Sequence, residues 1–328
     1  MNRKNPQWCE PRRPATGVRW SILAIGWLVG LISACGCDRP AEAPSDGRLT
    51  VVATTTMIGD LVQRIGQQHI RLTVLMPPGV DPHSFKPSTA DMGAIARAQL
   101  IFYNGLHLEG KMIELLEQKL ADRAFAVTRD ISIDRLLPWE QNQGGAYDPH
   151  VWFDPTLWAQ AAQTIAMELI RADPANASTY ESALKTVQAE LATLDAEIAR
   201  KIATIPRDRR VLITSHDAFN YFGAAYEIEV RGLQGISTET QAGLTNIAAA
   251  VDYIVQHRIP AIFVESSVPH DTILRVQADC KARGVDVKIG GELYSDALGA
   301  PGERPGYAVE TYAGMMRYNV DLIVNALR

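Results

Sequence analysis

Cysteine is scarce in this chain: there are four in 328 residues, three of them among the first 37. No disulfide framework can therefore hold the body together. Neither a Cys-x-x-Cys pair nor a His-Glu-x-x-His motif occurs, which excludes structural zinc fingers and helical metallohydrolase sites. Long apolar runs are missing too, apart from residues 20–34. With 47% hydrophobic and 21% charged residues, the composition is that of a globular protein, not of a disordered chain or a multi-span membrane protein. At roughly 100–200 residues per domain, the length predicts about two domains or one large one. Positive charge is short everywhere except at the start. Residues 1–34 carry Arg3, Lys4, Arg12, Arg13 and Arg19 against Glu10, a net of +4, so a chain of net −5 leaves −9 on the remainder. A body that acidic is poorly suited to neutralising phosphates, and no nucleic-acid partner is expected.

What is present at the start reads as an address. The apolar run Trp20 to Ala34 follows a basic stretch. Fifteen residues at about 1.5 Å each span only ~22 Å, short of the ~30 Å hydrocarbon core. A cleaved signal peptide over residues 1–34 fits better than a spanning helix. The run ends Leu31-Ile32-Ser33-Ala34-Cys35, which resembles the bacterial lipobox and implies Cys35 as the lipid-attachment residue. Cys37 is the other acceptor, and an ordinary export signal with an incidental cysteine is the alternative. Residues 35–48, rich in Pro, Ala and Asp, read as a lipid-anchored tether. The expected location is exported, periplasmic or cell-surface, held to a membrane by the N-terminal lipid.

The body reads as α/β: two lobes, each with a mostly parallel sheet flanked by helices, joined by one long backbone helix. In the first lobe, 49–175, strands are expected at Leu49–Thr56, Ile70–Met76 and Leu100–Asn104. Helices are expected around Ile58–Ile65, Thr89–Ala98 and Met112–Leu120, and this alternation predicts βαβ units. Asp154-Pro155 supplies an N-cap and a first-turn proline for another helix. Over 176–205, Tyr180, Leu184, Val187, Leu191, Leu194, Ile198 and Ile205 recur every three or four residues among charges. That pattern predicts one amphipathic helix of about 28 residues, either a spine laid across both lobes or a coiled-coil strand. In the second lobe, 206–328, strands are expected at Arg210–Thr214, Ala261–Val264 and Val285–Ile289. Helices follow at Asp217–Tyr226, Thr272–Lys281, with Cys280 facing a core, and Ala308–Leu327.

Only seven histidines occur. Two sit in the same tripeptide, Asp81-Pro82-His83 and Asp148-Pro149-His150, where proline stiffens the loop and the aspartate can accept the second imidazole N–H. His216 follows the strand ending at Thr214, and Asp296 follows the last strand after a Gly290-Gly291 turn. Ligands of open α/β sheets bind beyond the carboxyl ends of strands, so two lobes facing each other would bring His83, His150, His216 and Asp296 to one point. The alternatives are a shared metal site and unrelated surface or capping residues. His107 reads as packing at a helix start, and His69, His257 and His270 as solvated loop residues.

Asp81-Pro82-His83-Ser84-Phe85-Lys86-Pro87 and Asp148-Pro149-His150-Val151-Trp152-Phe153-Asp154-Pro155 closely resemble the zinc/manganese solute-binding family of ABC importers, the TroA-like group. Ser215-His216-Asp217-Ala218-Phe219-Asn220-Tyr221-Phe222 matches its third ligand motif. Gly235-Ile236-Ser237-Thr238-Glu239, Val264-Glu265-Ser266-Ser267 and Gly291 to Leu298 match later blocks, collinear over residues 49–328. The resemblance implies one divalent metal ion, zinc or manganese, bound by His83, His150, His216 and Asp296. It implies no enzymatic activity, and delivery to the transmembrane subunits of an ABC permease by a monomer. Two departures bear on the metal. The third ligand is histidine, where some manganese-binding members have glutamate, and the stretch from Pro138 to Tyr147 lacks the histidine-rich loop common in zinc-specific members. Other readings are an adhesin-like surface lipoprotein and a secreted zinc hydrolase.

The anchor is open to a direct test. Cys35→Ser should move the protein from the membrane fraction to the soluble fraction, read by fractionation and immunoblot; unchanged retention would transfer the role to Cys37 or to an uncleaved helix.

Overall fold

The β-branched run that opens the body forms β1 (Leu49–Ala53), shorter than its sequence suggests because Thr55 leaves the strand to cap a helix. Its hydroxyl accepts from the Ile58 N–H, and α1 (Thr56–Gly66) begins there. The structure is a computed structural model that describes residues 46–139, 146–239 and 242–328. The export signal, Cys35 and Cys37 lie outside the described residues, as does the tether up to Ser45. Among the described residues no helix is long and apolar enough to cross a membrane.

After α1 come β2 (Ile70–Val74), α2 (Thr89–Arg97), β3 (Leu100–Tyr103) and the short β4 (Ala124–Ala126). They form a four-stranded parallel sheet in the order β2-β1-β3-β4. Pairing continues past β2, since the Leu75 and Met76 N–H groups donate to the Ala53 and Thr54 carbonyls, until the Pro77-Pro78 break. The helix expected at Met112–Leu120 is instead a 3₁₀ turn, Gly110–Met112, running into a π-helical turn, Leu115–Lys119. Asp154 caps α3 (Pro155–Ala172) by accepting from the Thr156 and Leu157 N–H groups.

The long amphipathic segment is a single helix, α4 (Ala177–Ile202), which buries Tyr180, Ala183, Val187, Leu191, Leu194, Ile198 and Ile202. That stripe is covered by α1, by α3 and by the last helix, α8 (Tyr312–Leu327), all in the same chain, so it is a spine and not a free coiled-coil seam.

Beyond α4, β5 (Val211–His216) pairs in parallel with β6 (Glu229–Gln234), with α5 (Asn220–Tyr226) between them. After α6 (Leu244–His257), β7 (Ala261–Glu265) is followed by α7 (Asp271–Ala282) and β8 (Lys288–Leu293), and β7 and β8 are again parallel. β5 lies beside β7, and α8 (Tyr312–Leu327) closes the chain against β8 and α4. The last strand lies several residues beyond its expected position at Val285–Ile289. Gly290 and Gly291 are inside it, not in a turn, because side chains press on the strand there. A Cβ at Gly290 would meet the Phe263 ring at 2.5 Å, and one at Gly291 would meet Leu322 at 2.7 Å. Cys280 is buried among Ile273, Val276 and Val287, a core residue as expected.

Leu191 is 2% exposed in the main core, and a buried Leu→Ala change costs about 2–5 kcal/mol. Leu191→Ala should therefore lower the urea midpoint substantially, and a midpoint independent of protein concentration will show that the spine is satisfied within one chain.

Candidate metal centre

Each Asp-Pro-His loop is held by its own aspartate. Asp81 Oδ1 accepts from the His83 N–H at 2.9 Å, and Asp148 Oδ1 accepts from the His150 N–H at the same distance. These are side-chain turns that aspartate forms readily, stiffened by the intervening proline. The second loop is pinned further. Asn104, at the end of β3, donates to the Pro149 carbonyl at 3.0 Å, and the Tyr221 hydroxyl donates to the Asp148 carbonyl at 3.0 Å. Trp152 Nε1 donates to the Ser295 carbonyl at 2.9 Å, which brings the residue beside Asp296 onto the His150 loop. His216 is the last residue of β5, on the strand rather than after it, and Asp296 lies just past β8.

The structure brings His83, His150, His216 and Asp296 together. Each offers a donor atom, and these atoms all lie within 4.8 Å of one another. His83 Nε2 and His150 Nε2 are 3.3 Å apart. Asp296 faces both other imidazoles, with Oδ1 3.5 Å from His150 Nε2 and Oδ2 3.3 Å from His216 Nε2. The four residues are 3%, 0%, 0% and 1% exposed respectively, too little for water to satisfy them. His216 Nε2 and Oδ1 of Asp296, which face the centre of the group, nevertheless lack a well-aligned hydrogen-bond partner. Buried polar atoms left unpaired cost free energy, and a divalent ion taken by three imidazoles and a carboxylate would remove that cost.

Two carboxylates back this group. Asp148 Oδ1 accepts from His150 Nδ1 at 2.7 Å, and its Oδ2 accepts from Asn220 at 3.0 Å. Glu265 Oε2 lies 2.6 Å from His216 Nδ1, and its Oε1 accepts from the His216 N–H at 2.9 Å. Asp296 Oδ2 accepts from the Ser267 hydroxyl at 3.2 Å. The aspartate expected behind each Asp-Pro-His imidazole is thus found for His150 only; Asp81 takes backbone and hydroxyl donors instead. Glu265 had no role assigned from the sequence, although an acidic residue closing the apolar run Ala261–Val264 at the end of a strand was the signal. The remaining histidines stay away from the cluster. His107 is exposed in a left-handed turn at φ 65° and does not pack at a helix start. His257 stacks on Tyr253. His69 and His270 are part-buried and not simply solvated, His69 edge-on to Tyr180 and His270 bonded to the Glu265 carbonyl.

Without an ion, this geometry favours protons on two of the imidazoles. Burial opposes charge on His150, but Asp148 and Asp296 push its pKa up to about 8. Burial opposes charge on His216 as well, and Glu265 and Asp296 hold it well above the usual range. Burial raises Asp296 in turn, yet His216 and His150 keep it well below an ordinary carboxylate. His83 has no carboxylate behind its ring; burial lowers it to about 3, so it is neutral already. Ligation needs neutral imidazole, so a divalent ion must displace protons from His150 and His216 but not from His83. Titration calorimetry at neutral pH in buffers of different ionisation enthalpy should therefore show roughly two protons released per ion. Apparent affinity should fall as pH drops below about 8, with a slope approaching two protons, not three.

A family model described as "Zinc-uptake complex component A periplasmic" matches residues 51–326. The zinc-binding protein TroA of Treponema pallidum is 41% identical over 307 residues, 93% of this chain and 96% of the relative. The manganese-binding lipoprotein MntA of Bacillus subtilis is 41% identical over 309 residues, 94% and 98% of the two chains. Among solved structures, the periplasmic zinc-binding protein TroA of Treponema pallidum superposes with a TM-score of 0.81 at 40% identity, covering 86% of this chain and 99% of that one. On the breadth of that match and those identities, the chain belongs to the family of periplasmic zinc-uptake component A proteins.

Proposed function

We propose that this chain is an extracytoplasmic solute-binding protein that captures one divalent metal ion, zinc or manganese, and delivers it to an ABC-type permease for import. His83, His150, His216 and Asp296 are the ligands. The observation that carries this reading is the convergence of four buried donors, some without a hydrogen-bond partner, two from the Asp-Pro-His loops of the first half and two from the carboxyl ends of β5 and β8 in the second. The relatives named as zinc- or manganese-binding support it. Four protein ligands leave no open position for an attacking water, so the protein carries its cargo without chemistry of its own. Residues 1–34 act as the export signal, and residues 35–48, with lipid on Cys35, as the tether. Residues 49–175 and 206–328 form the two lobes and 176–205 the helix that joins them.

Imidazole and carboxylate donors suit zinc, and the Irving–Williams order puts zinc above manganese at almost any such site. Affinity alone therefore does not name the ion carried in the cell; elemental analysis of protein purified from its own source does. For the site itself, His150→Ala should weaken Zn²⁺ binding at least about tenfold, the usual scale for disturbing a metal site, whereas His257→Ala leaves it unchanged. Saturating Zn²⁺ should raise the melting temperature of the wild type, since an ion at ~1,000 times its dissociation constant adds about 4 kcal/mol, and the rise should be lost in His150→Ala. Equal affinity in wild type and His150→Ala would remove the site.

A further inference from the structure

With all four donor residues at most 3% exposed, no ion reaches or leaves them unless some contact between the halves opens. Among the described residues, besides the part-buried bonds of the Leu298 N–H to the Thr56 hydroxyl at 2.8 Å and of the Leu137 N–H to the Tyr221 hydroxyl at 3.0 Å, the polar contacts that join the halves include two contrasting kinds. Behind the site they are buried: Trp152 Nε1 on the Ser295 carbonyl, the Tyr312 hydroxyl on the Trp152 carbonyl at 2.6 Å, and Tyr221 on Asp148. Trp152, Tyr312 and Tyr221 are each 2% exposed or less, packed in the main core. Two others sit on surface loops. Thr238, after β6, donates from its hydroxyl to Asp81 Oδ2 at 2.6 Å, and Glu239 pairs with Lys111, with side chains 41% and 45% exposed.

Asp81 is also the residue that shapes the His83 loop. Its Oδ1 accepts from the His83 N–H, and its Oδ2 is shared between the Ser84 and Thr238 hydroxyls. One carboxylate thus reads both whether the far loop is docked and where the His83 backbone lies. We infer that Thr238 is a positioning residue for metal retention: its hydrogen bond to Asp81, flanked by the Lys111–Glu239 pair, latches the second half over the first and holds His83 in place while the ion is bound. The inference rests on the metal-binding reading above and adds to it a specific release point, at the rim and not at the aromatic back. A hydroxyl donating to a carboxylate is a charge-assisted bond, stronger than a neutral one, yet single and part-exposed, so it can break without unpacking the core.

The test uses the full chain in detergent, loaded with Zn²⁺ alone, with release followed by stopped flow into a chromophoric chelator. Thr238→Val keeps the shape and removes the donor; it should release Zn²⁺ about tenfold faster, the scale of one hydrogen bond to a charged group. Association should stay within about twofold, because the open state already lacks the bond, and the metal-free melting temperature should not move. Thr238→Ser should restore slow release. A surface ion pair is screened by salt, so raising ionic strength should hasten release from wild type but not from Glu239→Gln. Wild-type release from Thr238→Val, or faster release matched by a lower metal-free melting temperature, overturns the latch, as does salt-independent release from both wild type and Glu239→Gln. His150→Ala separates the two ideas: if it binds Zn²⁺ like the wild type, the ligand set fails; if it loses Zn²⁺ while Thr238→Val releases normally, the latch alone fails.

Discussion

Burying charge is the constraint on which the rest of this molecule depends. Three imidazoles and the carboxylates of Asp148, Glu265 and Asp296 lie in one dry volume, where an unpaired ion costs several kcal/mol. The architecture answers by giving nearly every one of those groups a fixed partner before any cargo arrives. Asp148 is gripped by His150, its backbone and Asn220, and Glu265 by the His216 backbone. What is left unsatisfied points inward, at the place where the three rings meet with centroids 5.3–6.0 Å apart.

The surrounding fold keeps that volume from relaxing. The spine α4 is packed along its whole apolar stripe, and its charged flank is tied to α8 by Glu197–Arg317 and Lys201–Asp321. Trp152, Phe153, Phe219 and Phe222 pack ring against ring, tilted or edge-on, beside the His150 loop. A close-packed aromatic floor transmits displacement rather than absorbing it, and His150 stands on it, its ring edge-on to Trp152.

Much of this was legible in the sequence because the chemistry is local. Proline between aspartate and histidine dictates a loop shape, Asp154-Pro155 dictates a helix start, and the spacing of apolar residues from Tyr180 onward dictates a one-sided helix. What the sequence hid was set by neighbours distant along the chain. β6 carries no strand signal because it is half-exposed, and Glu229, Arg231 and Gly232 break any apolar alternation. α6 shows no clear apolar stripe, because its Ala-rich stretch buries only Val251 and Ile254 fully. Gly290-Gly291 looked like a turn, and only Phe263 and Leu322 pressing from either side make it a strand. Glu265 and Ser267 were visible as residues, but their roles follow from strand pairing that no short window contains.

The donors are divided evenly along the chain. His83 and His150 precede the spine, and His216 and Asp296 follow it. Neither half alone can supply more than two. A chain folding from the amino end therefore lacks the full set of four donors until Asp296 is in place, and contacts this remote in sequence close last, after the loop entropy has been spent. Until the final strand is seated, the polypeptide lacks Asp296 and can offer a divalent ion at most the three imidazoles, without the carboxylate that completes the set.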